Sequence, residues 1–200
     1  RSGSRSRPCG TRPCPSRPAP GATVWTPGRT FSCRRTSPAG TAPGPERGRA
    51  REIVHYAACR AGMAINNSSA GLAHAMDQTG PLFGIPHGLA CALALPYTVA
   101  FLGPRPAYAE VARNLGGTGG DEELWRHLVG RLWQLCRDLG LPEGYRECGV
   151  TQEAFEAAVG NLAGEAAASG STRLAPAAPD AGAFEGLFRQ AFRGEPPLAG

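Results

Sequence analysis

Lysine is absent from this sequence of 200 residues, in which all 21 basic side chains are arginine. We interpret the absence as a bias of GC-rich coding DNA, since lysine codons are rich in A and T. The seven cysteines include no C-x-x-C pair, which argues against a zinc ribbon. Their odd number and irregular spacing favour reduced thiols in a cytoplasmic protein over a disulfide framework.

Long apolar runs are absent as well. The most apolar stretch, residues 89–102, is interrupted by Pro96 and is too short to cross a bilayer. The N-terminus is rich in arginine and proline rather than leucine, which argues against a secretory signal. We therefore expect a cytoplasmic protein without a membrane partner.

Acidic residues are nearly absent from residues 1–50, which hold ten arginines, nine prolines and one acid, Glu46. Their net charge is +9, whereas residues 51–200, with eleven arginines and fifteen acids, carry −4. Because residues 1–50 show no apolar periodicity, they cannot bury enough surface to offset the entropy lost on ordering the chain. We therefore expect them to be disordered. Three explanations of this segment compete: a nucleic-acid-binding arm, a transit peptide and a wrong-frame reading of GC-rich DNA. We favour the wrong-frame reading and expect no nucleic-acid partner, because aromatics are few and prolines would break a recognition helix.

Residues 51–195 show apolar side chains at helical spacing and no convincing strand, which predicts an all-α, bundle-like domain. We expect one uninterrupted helix over residues 51–76. A second helix is expected to start near His87, directly after Pro86, and to kink or stop at Pro96.

Three later helices are predicted from their caps and apolar stripes. Asp121, Thr151 and Asp180 each precede a helical pattern in the N-cap position. The G-G-T-G-G run at residues 116–120 follows no strand and lacks the third glycine of a dinucleotide-binding loop. We therefore expect a hinge between helices there. The helix after Asp121 presents one stripe of leucines: Leu124, Leu128, Leu132, Leu135 and Leu139.

Two histidines, His74 and His87, stand thirteen residues apart. On a continuous helix His74 would share its face with two small residues and with the polar Asn67 and Gln78, which leaves a polar hollow. His87 lies at a helix start, from which its side chain can point into a neighbouring cavity. Imidazole nitrogen is the usual protein ligand of zinc or ferrous iron. Two histidines alone do not complete a metal site, so satisfied core histidines stay open as the alternative.

The stretches around both histidines resemble the C-terminal domain of the iron-containing (group III) alcohol dehydrogenases. Residues 61–76 read A-G-M-A-I-N-N-S-S-A-G-L-A-H-A-M, and residues 84–97 read G-I-P-H-G-L-A-C-A-L-A-L-P-Y. The family typically reads G-M-A-x-x-N-x-x-x-G-x-x-H-A-x-x-H, and then P-H-G-x-x-x-A-x-x-L-P-H. Residues 139–159 and 171–192 are similar to the closing turn and helices of that domain. The resemblance covers residues 52–193.

The resemblance implies that His74 and His87 bind a divalent metal, Fe²⁺ or Zn²⁺. In the family, an aspartate and a histidine of an upstream D-x-x-x-H motif complete the ligand set. That motif would fall near residues 7–12, where the sequence R-P-C-G-T-R contains neither residue. With only two protein ligands, water would fill most coordination positions of the ion. The sequence therefore predicts weak metal binding by this chain.

The resemblance also implies that Asn67 and Gln78 border the substrate pocket. Gln78 stands where the family has its second helix histidine, and Tyr97 replaces the histidine of the L-P-H motif. An amide cannot take up and release a proton as imidazole does. A route by which a proton leaves the site through this histidine is therefore not expected in this chain.

The activity implied by the resemblance is that of an NAD(P)-linked alcohol dehydrogenase or aldehyde reductase, with the metal as Lewis acid during hydride transfer. Its partner would be a small alcohol or aldehyde, and self-association as a homo-oligomer stays open. Because the family's nucleotide-binding domain is not recognisable in these 200 residues, we expect the chain alone to be inactive. A non-catalytic helical interaction module and a maleylacetate-reductase-like member of the family are the alternatives.

Overall fold

The computed structural model describes residues 25–26, 29–30, 45–68 and 70–198. Two short strands, β1 (Trp25–Thr26) and β2 (Arg29–Thr30), pair antiparallel. From Pro45 onward the described chain is helical. Most of residues 1–50 lie outside the described residues, and the expectations of disorder and of a domain boundary at residue 50 stay predictions. The first helix already begins at Pro45.

The expected all-α architecture is confirmed for the body of the chain. None of the described helices is both long and apolar enough to cross a membrane. A short 3-10 helix, Tyr145–Cys148, lies between the sixth and seventh α-helices. The α-helices are α1 (Pro45–Ser68), α2 (Gly71–Ala75), α3 (Thr79–Phe83), α4 (His87–Leu102), α5 (Pro106–Asn114), α6 (Asp121–Asp138), α7 (Gln152–Ala168), α8 (Gly170–Arg173) and α9 (Ala181–Arg193).

Two of the three predicted N-caps are confirmed. The Thr151 hydroxyl accepts a hydrogen bond from the Ala154 amide at 3.2 Å, and the Asp180 carboxylate accepts one from Ala183 at 2.7 Å. The third prediction is wrong by one residue, because Asp121 is already the first residue of α6. Gly120 takes the cap position, and its amide donates to the Glu123 carboxylate at 2.8 Å. That contact is the reciprocal half of a capping box, which a glycine cap can still form through its backbone.

The glycine run at residues 116–120 is confirmed as a connection between α5 and α6. Gly116 and Gly119 have φ angles of 87° and 102°, a region that side chains with a Cβ rarely enter. These glycines turn the chain so that α5 and α6 pack against each other.

The expected continuous helix over residues 51–76 is wrong, since α1 ends at Ser68 and α2 begins at Gly71. Near the end of α1, the Asn67 amide donates to the Met63 carbonyl and the Ser68 hydroxyl donates to the Ala64 carbonyl, both at 2.8 Å. Such side chains compete with the helical backbone and weaken it. Gly71 then adopts a φ angle of 70°, which changes the direction of the backbone at the start of α2.

Helix α4 is apolar on all sides and is the central element of the bundle. It contacts α2 and α9 in one core and α6 in the other. Pro96 does not end α4, although its ring lacks the N–H that the Ala92 carbonyl would accept. The Cys136 thiol of α6 lies 3.7 Å from that carbonyl and donates to it. The thiol of a neighbouring helix thus takes the place of the missing N–H as a weak donor.

A second hydrogen bond ties α6 to the end of α4. The Trp125 indole N–H donates to the Val99 carbonyl at 2.9 Å, in the last turn of α4, where carbonyls lack helical partners. The predicted leucine stripe of α6 is confirmed, because all five of its members are buried. On the other side of α4, aromatic side chains of α7 and α9 fill the core, and the Phe155 and Phe192 rings stack 4.2 Å apart.

The approach of the 3-10 helix to α9 generates a stability prediction. A Cβ at Gly144 would lie 2.5 Å from the Ala191 carbonyl oxygen and 2.8 Å from the Gly194 nitrogen. Because backbone atoms cannot move aside cheaply, we expect Gly144→Ala to lower the free energy of unfolding by about 2 kcal/mol or more. Urea unfolding followed by circular dichroism measures this change.

Gly164→Ala is the matched control for that substitution. Gly164 lies on the exposed face of α7, and an added Cβ meets nothing within 4 Å. We expect this variant to gain roughly 0.5–1 kcal/mol, because alanine has the higher helix propensity. Equal urea midpoints for Gly144→Ala and the parent chain would refute the close backbone approach.

Candidate metal centre

Four side chains that can bind a metal converge where α2 meets the start of α4. They are His74 on α2, Asp77 in the following turn, and His87 and Cys91 on α4. One donor atom from each lies within 4.8 Å of the donor atoms of the other three. The imidazole rings of His74 and His87 have centroids 5.1 Å apart, with their planes inclined at 60°.

The local sequence explains why both imidazoles reach this point. Leu72 and Met76 are buried in the core and fix α2 against the bundle, which leaves the half-buried His74 beside α4. Helix α3 ends at Gly84 with a φ angle of 70°, and the extended Pro86 caps α4. His87 is therefore the first residue of α4, a position from which its side chain reaches back over the turn that contains Asp77.

One hydrogen bond of His74 indicates which nitrogen of its neutral ring carries the proton. Its Nδ1 lies 3.1 Å from the Ala70 carbonyl oxygen. A carbonyl can only accept, so Nδ1 carries the proton and donates it. The lone pair of the neutral ring is then on Nε2. Histidines that bind metals commonly donate their second ring N–H to a carbonyl in this way, which fixes the ring and its basicity.

His87 is held by the Asp77 carboxylate, whose Oδ2 lies 3.0 Å from the His87 Nδ1. The His87 side chain is 64% exposed, whereas that of Asp77 is only 16% exposed, so the carboxylate forms the inner wall of the cluster. The other carboxylate oxygen accepts a hydrogen bond of 3.4 Å from the Gln78 amide. Asp77 is thereby oriented from two sides.

Cys91 completes the cluster one helical turn after His87. Its Sγ lies 3.9 Å from both ring nitrogens of that histidine. Burial, and secondarily the negative charge of Asp77, raises the pKa of the Cys91 thiol to about 12. At neutral pH the thiol by itself stays protonated, and a thiolate at this position requires a neighbouring cation. A bound divalent metal supplies that charge and deprotonates a coordinating thiol.

The donor set therefore fits a divalent metal. It offers two imidazole nitrogens, one carboxylate and one thiol, and the observed hydrogen bonds already orient His74 and Asp77. Zinc binds these three ligand types in four-coordinate sites, and ferrous iron accepts imidazole and carboxylate.

An open depression of about 490 Å³ adjoins the cluster. Asp77, Gln78 and His87 line one side of it, and the residues of α3 and the following turn line the other. The predicted substrate-pocket residue Gln78 thus lies beside the candidate metal ligands. Small molecules can reach His87 from this depression.

Two other residues singled out in the sequence lie elsewhere. Asn67 is exposed near the end of α1, where its amide is bonded to its own helix, and it does not line the depression. The helix break after Ser68 removes the face that Asn67 was expected to share with His74. Tyr97 is buried in the core and meets Trp133 edge to face at 5.9 Å.

Asp77 and Cys91 were missed as candidate ligands from the sequence. Cys91 follows His87 by four residues, which places both on one face of α4. Asp77 follows His74 by three residues, directly after the helix expected over residues 51–76, and it was not singled out. Their spacing from His87 and from His74 was the signal that could have identified them. It was overlooked because neither an isolated cysteine nor an isolated aspartate forms a recognisable ligand motif.

Comparison with known proteins places this geometry in a family. The model of the "Fe-containing alcohol dehydrogenase family, C-terminal" matches residues 42–191. The chain is 37% identical over 111 residues to the NADPH-dependent butanol dehydrogenase of Clostridium saccharobutylicum, covering 54% of this chain and 29% of that protein. It is 33% identical over 153 residues to the 1,3-propanediol dehydrogenase of Citrobacter freundii, covering 72% and 38%.

Solved structures agree with these matches. A 1,3-propanediol oxidoreductase superposes with a TM-score of 0.66 at 30% identity, covering 72% of this chain and 38% of that one. The iron-containing alcohol dehydrogenase from Thermococcus thioreducens gives 0.64 at 34% identity, covering 74% and 38%. The chain thus spans less than two fifths of the length of these relatives. It belongs to the iron-containing alcohol dehydrogenase family and corresponds to the C-terminal, all-helical domain of that family.

Proposed function

We propose that this chain is the metal-binding helical part of an NAD(P)-linked alcohol dehydrogenase or aldehyde reductase. The observation that carries the proposal is the convergence of His74 and His87, inside the region matched by the family, with ring centroids 5.1 Å apart. The reaction is hydride transfer between a small alcohol or carbonyl compound and a nicotinamide. The related dehydrogenases named above act on butanol and 1,3-propanediol, which supports this class of substrate.

The proposed metal is Fe²⁺ or Zn²⁺, held by His74 through Nε2 and by His87. When bound, such an ion acts as a Lewis acid on the alcohol or carbonyl oxygen and stabilises the alkoxide. The chain's own residues orient this centre: the Ala70 carbonyl fixes the His74 ring, and the Asp77 carboxylate holds the His87 ring.

The depression beside His87 is the proposed entrance for the substrate. Gln78 lies at its edge and can donate or accept a hydrogen bond, but it cannot take up a proton as an imidazole does. We therefore assign Gln78 a binding role. The assignment of Asn67 to the substrate pocket stays a prediction, because in the described structure its amide is bonded to its own helix.

The proposed location is the cytoplasm. The cysteines that the structure describes, Cys59, Cys91, Cys136 and Cys148, are free of disulfide bonds. Thiols of this kind suit a reducing compartment.

A second candidate function is that of a non-catalytic helical module. It is favoured by large apolar side chains on α1, where Tyr56 is 66% and Met63 is 64% exposed. Such side chains on one helix suit association with another protein surface. Activity of the chain in a complete enzyme, as tested below, separates this candidate from the dehydrogenase part.

The 200-residue chain by itself is expected to show no dehydrogenase turnover. The activities of the relatives belong to proteins of which it spans less than two fifths. The measurement is NADH- or NADPH-dependent reduction of butanal and 3-hydroxypropanal in the presence of Fe²⁺ or Zn²⁺. A rate that disappears in His87→Ala would contradict this expectation, because it would come from the proposed centre.

A chimera tests the proposed activity directly. Residues 42–200 replace the matching C-terminal part of the Citrobacter freundii 1,3-propanediol dehydrogenase, whose upstream part is retained. We expect metal-dependent, NAD⁺-linked oxidation of 1,3-propanediol. Because even the partners of metal ligands contribute ~10–100-fold, His74→Ala and His87→Ala should each lower kcat/KM more than ~100-fold.

His55→Ala is the control for loss of an imidazole in that experiment. His55 is exposed on α1 and is not part of the cluster, so this variant should keep the rate of the chimera. An active chimera that is indifferent to His74→Ala and His87→Ala would refute the assigned metal centre. A folded but inactive chimera would favour the non-catalytic module.

A further inference from the structure

We infer that Asp77 is a positioning residue for the candidate metal centre: its carboxylate keeps the proton of the His87 ring on Nδ1 and leaves Nε2 to bind the metal. The inference rests on the proposed binding of a divalent metal at His74 and His87. It deepens that proposal by naming the metal-binding atom of His87 and the residue that selects it. In this role Asp77 takes no coordination position, so the ion stays open to substrate.

The contact between Asp77 and His87 has the length of a hydrogen bond. Asp77 Oδ2 lies 3.0 Å from His87 Nδ1, within the usual range for an N–H donor and an oxygen acceptor. An ionised carboxylate can only accept, so the proton of a neutral His87 ring lies on Nδ1 and the lone pair on Nε2. Because the Asp77 side chain is only 16% exposed, its carboxylate is largely shielded from competing water.

His74 shows the same arrangement with a different acceptor, since its Nδ1 lies 3.1 Å from the Ala70 carbonyl oxygen. An ion bound about 2.1 Å from a ring nitrogen lies about 3.2 Å from the ring centroid, so two imidazoles on one tetrahedral ion have centroids about 5 Å apart. The separation of 5.1 Å between the rings of His74 and His87 matches that spacing. The two rings are therefore spaced for one ion while the Nδ1 atom of each is engaged elsewhere.

Cys91 does not select between the two nitrogens of His87. Its Sγ lies 3.9 Å from both of them, and a thiol is a weak hydrogen-bond partner. Equal distances give neither nitrogen a preference, so the choice falls to the much closer Asp77 carboxylate. Cys91→Ala should therefore leave the proton of His87 on Nδ1.

The Gln78 amide makes the effect of a substitution at Asp77 specific. It donates to the other carboxylate oxygen, Oδ1, at 3.4 Å. In Asp77→Asn the carbonyl oxygen of the new amide is the atom that can accept this bond, which turns the NH₂ group toward His87. An NH₂ group can only donate, so Nδ1 of His87 must accept and the proton moves to Nε2. Nε2 then has no lone pair for a metal.

NMR of the reduced 200-residue chain tests this inference without a metal. Long-range proton–nitrogen correlations of isotope-labelled histidine distinguish Nδ1–H from Nε2–H, and they are recorded at a pH well above the titration range of imidazole. We expect Nδ1–H for His87 in the parent chain, Nε2–H in Asp77→Asn, and loss of the preference for Nδ1–H in Asp77→Ala. His87→Ala identifies the signal among the four histidines of the chain. Circular dichroism confirms that each variant is folded.

Asp138→Ala is the matched control. Asp138 is an exposed carboxylate on α6 that accepts a hydrogen bond from the Gln134 amide at 2.8 Å, as Asp77 does from Gln78, but it is not part of the cluster. We expect this variant to keep the proton of His87 on Nδ1.

Titration of the same samples with Zn²⁺ identifies the bound atom. In the parent chain, Zn²⁺ should shift the Nε2 signals of His74 and His87 while both Nδ1 protons stay in place. Asp77→Asn should weaken this binding by ~10–100-fold, as is usual when the partner of a ligating histidine is changed. Asp138→Ala should bind Zn²⁺ like the parent.

The outcomes separate this inference from the proposed function. If His87 carries its proton on Nε2 in the parent, or keeps it on Nδ1 in both Asp77 variants, the inference is overturned. Zn²⁺ bound through Nδ1 of His87 would also overturn it, and the histidine pair of the proposed function would stand. If the tautomers behave as expected but Zn²⁺ shifts neither imidazole, the metal centre of the proposed function is contradicted. The tautomer change would then still support Asp77 as the residue that places the proton.

Discussion

The burial of the middle turns of α4 is the constraint on which the rest of this structure depends. Its apolar side chains fill both cores, and each large one contributes about 1.5–3 kcal/mol when it leaves water. A helix so placed must satisfy its polar backbone from within the protein. The carbonyl left without a partner by Pro96 is bonded by Cys136, and that of Val99 is bonded by Trp125. Helix α6 therefore packs against α4 with hydrogen bonds as well as with its leucine stripe.

The candidate metal centre lies at the N-terminal end of the same helix, where the core meets solvent. At this position the side chains of the centre can be held in place and still be reached from solvent. The first turn of α4 is fixed because the following turns are buried, yet His87 is exposed and accessible from the depression. Helix α2 is only five residues long, but Leu72 and Met76 anchor it in the core. The imidazole of His74 thus gains a defined position without a long helix of its own.

Much of the fold was predictable because local patterns decide it. The leucine stripe of α6, the caps at Thr151 and Asp180, and the glycine hinge each depend on residues within a few positions of one another. Predictions failed where nearby signals competed. Asp121 and Gly120 were both suitable for the cap, and the side chains of Asn67 and Ser68 compete with the backbone near the break after α1. Helix α4 continues through Pro96 inside the packed core, where the Ala92 carbonyl meets the Cys136 thiol, and a contact between residues so far apart in the chain has no local pattern.

For the candidate site, the sequence by itself determined the residue types, the pair of histidines and the family to which their spacing points. Those properties follow from which side chains can bind a metal and from motifs read along the chain. Only the tertiary structure decided that Asp77 and Cys91 lie beside both histidines and that Asn67 does not line the depression. The physical reason is that a metal centre is a few ångströms wide, whereas the side chains that could form one here come from α2, a turn and α4. Their distances are set by how the core packs those segments together.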